Sequence, residues 1–60
     1  MNEYEMMQKN IEEFSRLQDY MLEDGKDAKA YKMMHRRYID LKAILQASDV
    51  NLTDIDRIKE

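Results

Sequence analysis

His35, Arg36 and Arg37 are three adjacent side chains able to carry positive charge, and they are the most evident chemical resource in the chain. With Lys26, Lys29, Lys32 and Lys42 they load its middle with bases, the minimum needed to lie along nucleic-acid phosphates. One reading is therefore a nucleic-acid-binding accessory protein that uses Lys29, Lys32, Arg36 and Arg37; the same set would suit an acidic protein partner. Against nucleic acid, the whole chain carries −3, and no glycine-rich loop, helix-turn-helix spacing or aromatic stacking platform accompanies the bases.

Other chemistries find less support. A zinc site needs three or four ligands, and with no cysteine and a single histidine they would all have to be carboxylates. Ser15 and Ser48 lack the context of an activated nucleophile, and no loop is built to cradle phosphate. Asp49 to Glu60 offers oxygen ligands at calcium-loop spacing, but Asp54 stands where the sharp turn needs glycine and Asp56 stands where an apolar residue belongs. No catalytic, cofactor-binding or metal-ligating residue is assigned, and the expectation is a non-enzymatic protein.

These side chains must be positioned by helices. Proline is absent, there is one glycine, and 38% of residues are charged, while strand signals are lacking. Tyr31, Met34, Tyr38, Leu41, Leu45 and Ser48 recur at alternating steps of three and four, which lays one stripe along a helix. Tyr4, Met7, Ile11, Phe14 and Met21 form a matching stripe in the first third, flanked by Leu17 and Leu22. Gln18 interrupts it. A glutamine there either sits near the solvated edge, the commoner outcome, or fixes register from a core-facing position.

Between the stripes, Gly25 can take the positive φ that ends a helix, and Asp27 is placed to cap the next one. A connection this short folds two helices back as a hairpin, with arms of about 33 and 31 Å at 1.5 Å per residue. In the resulting register Met21 lies near Tyr31, Phe14 near Tyr38, Ile11 near Leu41 and Met7 near Leu45. Charge agrees: residues 1–24 hold seven acids and two bases, residues 28–48 five bases and one acid. Beyond Ser48, Asn51 resembles an N-cap, and Leu52, Ile55 and Ile58 step by three, so a short third helix is expected against the open end of the hairpin, near Tyr4 and Leu45, or on another subunit.

The fold predicted is all-α, one domain over residues 1–60: an antiparallel helical hairpin (about 2–23 and 28–48) with a short C-terminal helix (about 52–59). Sixty residues bury only about 60% of the surface of the unfolded chain, and with disulfides and metals set aside, self-association or a larger partner remains as the source of stability. Met6, Tyr20, Met33 and Ile39 fall off the main stripes and suggest a second contact surface, which a homodimer would bury as a four-helix bundle. No apolar run reaches transmembrane length and the acidic start is unlike a signal peptide, so a cytoplasmic protein is expected. The function expected is a small protein-protein interaction or regulatory module acting through helix faces.

Overall fold

The computed structural model describes residues 2–60. Two helices, α1 (Glu3–Asp24) and α2 (Tyr31–Ala47), pack against each other as an antiparallel hairpin. No strand occurs among the described residues. Asn2 caps α1 by accepting the Glu5 amide on its side-chain oxygen at 2.8 Å, and Glu3 and Glu5 place negative charge at the positive end of the helix dipole.

Helix α1 stops at Gly25, whose φ of 81° and ψ of 168° combine in a region that only glycine enters without strain. The connection is longer than predicted. Two overlapping turns, closed by Ala28 N–H to the Gly25 carbonyl and Tyr31 N–H to the Ala28 carbonyl, carry the chain to α2. The second helix therefore starts at Tyr31 rather than at 28, with Ala30 and not Asp27 at its N-cap and no side-chain hydrogen bond there.

Both stripes meet as expected. Phe14, Met21, Tyr38, Leu41 and Leu45 form the buried core, and the Phe14 and Tyr38 rings stack with centroids 5.3 Å apart. Helix α2 ends in a Schellman arrangement: Val50 N–H reaches the Leu45 carbonyl, Asp49 N–H reaches the Gln46 carbonyl, and Asp49 takes the positive φ usually left to glycine.

The C-terminal segment departs from the prediction in form and in place. The expected helix at 52–59 is reduced to one turn, closed by the Ile55 and Asp56 amides on the Leu52 carbonyl. Asn51 does act locally, accepting the Thr53 amide. Further helix is prevented because the amides that would continue it are taken elsewhere: those of Arg57 and Ile58 donate to Gln18 Oε1, and that of Lys59 donates to Asp56 Oδ1. Nor does the segment dock at the open end, where Tyr4 stays 69% exposed. It runs back along one seam of the hairpin, from Val50 beside Leu45 to Glu60 beside Lys26, and packs Val50, Leu52, Ile55 and Ile58 onto the core.

Gln18 is thus fully buried rather than at a solvated edge. Its amide nitrogen donates to the Phe14 and Ile55 carbonyls while its oxygen accepts two amides, so all its contacts are to main chain. A polar group in the core satisfied this completely loses little on burial and specifies one docking register for the segment it holds.

Candidate functional site

The C-terminal segment divides the surface of the hairpin in two. On the covered seam it touches Ser15, Gln18 and Asp19 of α1 and His35, Tyr38 and Lys42 of α2. At about 100° per residue, Met6, Asn10, Glu13, Leu17 and Tyr20 fall on the other side of α1. Met33, Arg37, Asp40 and Ile44 hold the corresponding side of α2. Both sets step alternately by four and three, so the hairpin carries a second, mixed polar and apolar stripe along its uncovered seam.

Three parts make up that seam. At the open end Met6 and Ile44 line one shallow depression, together with Met7, Asn10 and Ser48. At its centre Arg37 donates from Nε and Nη2 to the two Glu13 carboxylate oxygens at 2.6 and 3.1 Å. Toward the turn lie Leu17, Tyr20 and Met33. Met33 is 77% exposed, Tyr20 54%, Met6 53% and Ile44 43%, four of the seven large apolar side chains left exposed among the described residues; Tyr4, Leu22 and Ile39 lie elsewhere. The hydrogen bond from Arg37 holds the Glu13 carboxyl below the usual range and raises the guanidinium in turn. Both groups are about half exposed, and a pair of this kind contributes only about 0–1 kcal/mol to folding.

Of the four residues predicted for a contact surface, Met6, Tyr20 and Met33 share this seam. Ile39 does not: it lines a separate groove with Lys26, Tyr31, Lys32, His35, Arg36, Asp40 and Glu60. Ile44 takes its place. The signal for Ile44 was present in the Met33, Arg37, Ile44 spacing but was obscured by the charged residues between.

The bases predicted to form one face are also distributed. Lys32 and Arg36 line the Ile39 groove, Lys29 lies in the connection between the helices, and Arg37 is committed to Glu13. Acids meet several of the neighbouring bases, Glu60 reaching His35 and Lys26, Asp56 reaching Lys42 and Asp19 reaching Arg57, whereas Lys29, Lys32 and Arg36 make no ion pair among the described residues. Among the described residues no group of three or more candidate ligands is placed to hold a metal ion, and no helix is long and apolar enough to cross a membrane.

No known family, curated protein or solved structure matches this chain.

The covered seam is a closed polar network on an apolar base. Tyr38 Oη donates to Asp56 Oδ1 at 2.5 Å and accepts the Glu60 amide at 3.1 Å; Lys42 Nζ lies 2.9 Å from Asp56 Oδ2. Burial disfavours the charged form of Asp56, but the hydrogen bonds from Tyr38, Lys42 and the Lys59 amide together outweigh it, and its pKa falls below the ordinary value. Tyr38 is pushed up, first by burial and then by its bond to the Asp56 carboxylate, and that carboxylate raises Lys42 as well.

These directions predict a stability plateau. A depressed Asp56 contributes fully above the unfolded carboxyl value of about 3.9 and is lost as pH falls through its lower folded value. Raised Tyr38 and Lys42 contribute fully below about pH 10 and are lost as pH rises through their folded values. Thermal melts between about pH 2 and 12 should show the midpoint falling at both extremes. Asp56→Asn should flatten the acid limb, and Tyr38→Phe the alkaline one; unchanged limbs in both variants would separate the network from stability.

Proposed function

We propose that the protein is a non-enzymatic interaction and regulatory module that works as a homodimer, with the uncovered seam of the hairpin as its contact surface. The observation that carries this reading is the one-sided placement of Met6, Tyr20, Met33 and Ile44, opposite the seam already occupied by the C-terminal segment. A segment of the same chain stabilises one seam by bringing Val50, Leu52, Ile55 and Ile58 onto the core. The other seam is covered by no segment among the described residues.

Surface area supports the reading. The chain exposes 4698 Å², whereas a folded monomer of 7.3 kDa is expected to expose about 4,200 Å². The body is flat, 36 × 23 × 15 Å. Pairing two such slabs face to face makes a four-helix arrangement with a shared apolar interior. In that arrangement function is occupancy: a rigid helical surface, set by dimerisation, that covers part of a partner protein.

The test is mass in solution. Sedimentation equilibrium from about 1 to 500 μM should give a concentration-dependent approach to twice the chain mass, and Met33→Lys with Met6→Lys should hold the protein monomeric with its helicity intact. A monomer across that range with a full cooperative melt would refute the dimer.

A further inference from the structure

We infer that the second copy docks with a two-fold axis parallel to the helices, so that α1 of each copy lies across α2 of the other. This rests on the homodimer proposed above and goes further by specifying which helix meets which. With the helices of the two copies aligned, two face-to-face arrangements satisfy closed symmetry. An axis parallel to the helices sets α1 over α2 and keeps the open ends together. An axis in the contact plane but perpendicular to the helices sets α1 over α1 and brings the open end of one copy to the turn end of the other.

The residues on the seam decide between them. With the parallel axis, Met6 meets Ile44 of the second copy, Glu13 meets its Arg37, and Leu17 and Tyr20 meet its Met33. Apolar groups meet apolar groups in either arrangement, but here Glu13 finds a base and Asp40 meets the Asn10 amide. Glu13 and Arg37 already face each other within one copy at the midpoint of the seam, so two stacked pairs form an alternating square of four charges. With the perpendicular axis Glu13 meets Glu13 and Arg37 meets Arg37, and like charges become neighbours at the centre of the interface. The wider charge pattern favours the same choice, because residues 1–24 carry a net negative charge and 28–48 a net positive one. An acidic helix across a basic one attracts; acidic on acidic and basic on basic repel.

The chain has no cysteine, which makes cross-linking unambiguous. Met6→Cys and Ile44→Cys are prepared as separate full-length proteins, mixed, and oxidised with copper phenanthroline, so that any link between positions 6 and 44 must join two copies. The expected result is the mixed covalent dimer as the main product, well above the link between two Met6→Cys chains. A mixture of Met6→Cys with Tyr20→Cys should yield little. A dominant link between 6 and 20 would overturn this geometry while leaving the homodimer standing, whereas a wild-type chain that is monomeric by sedimentation would remove both.

Charge reversal supplies a second readout. Glu13→Lys should weaken dimerisation by about tenfold or more by setting a base against Arg37 of the second copy, and mixing it with Arg37→Glu should restore association as a heterodimer. In the perpendicular arrangement Glu13→Lys merely replaces one like-charge contact by another, so an unchanged dissociation constant would also overturn the inference.

Discussion

Replacing Phe14 by alanine should remove about half or more of the protein's folding stability. The ring is fully buried, stacks on Tyr38 with an interplanar angle of 11°, and sits where both helices and the C-terminal segment converge. Phe→Ala substitutions in cores cost about 3–5 kcal/mol, because the lost transfer energy is joined by the cavity left behind. A domain of this size has about 3–9 kcal/mol in total, at 0.05–0.15 kcal/mol per residue. The site has little means to collapse, since Tyr38 is held by two hydrogen bonds at its far end and cannot slide into the gap. Urea titration followed by helical circular dichroism measures the loss directly. A change below about 1 kcal/mol would mean that the ring stack is not the centre of the fold.

Gln18→Leu should produce a loss nearly as large but of a different character. Leucine has about the right volume and suits the apolar surroundings, so a purely hydrophobic account of the core would make the change neutral or favourable. The hydrogen bonds say otherwise: two amides, of Arg57 and Ile58, and the carbonyl of Ile55 would lose their partner in a partly buried place. Each orphaned group costs about 1–3 kcal/mol, and since the segment can turn partly to water, a combined loss of about 2–4 kcal/mol is expected. The variant should keep much of its helix, and its C-terminal residues should become open to proteolysis between 50 and 60 under conditions where the parent resists. Gln18→Glu, which keeps the accepting oxygen but not the donating amide, should fall between. If Gln18→Leu matches the parent in both stability and protease resistance, the glutamine is not what anchors the segment.

The contrast between these substitutions shows what could be read from the amino acids and what could not. Phe14 and Tyr38 were legible because helix periodicity is local: a stripe at steps of three and four must face something, and one glycine turn brings the two stripes together. Gln18 was legible only as an interruption. Its role depends on amides that lie about 40 residues further along, which no short-range pattern records. The same fact explains the missing helix at 52–59: cap and spacing were both present, but Gln18 and Asp56 compete for the amides that would have propagated it. Nothing local marked the role of Asp56, because the tyrosine and lysine that close over it belong to another element.

The uncovered seam was half legible. Met6, Tyr20 and Met33 announced themselves by falling off the main stripes, whereas Ile44 was hidden by the charged residues of its own row and Ile39 was grouped with the rest by hydropathy alone. Hydropathy marks a residue as unpartnered, but only the angle around its helix says which side it serves.

Gln18 grips the C-terminal segment by its main chain and by none of its side chains, and that has a bearing on which alterations the protein can absorb. Exchanging Ile58 for any residue but proline leaves every one of those bonds available, so the lettering there is free to drift within the limits of packing. Spacing is not. Inserting or deleting a single residue between Asp49 and Asp56 would offer the glutamine the wrong peptide units, so length is guarded in this stretch more strictly than identity.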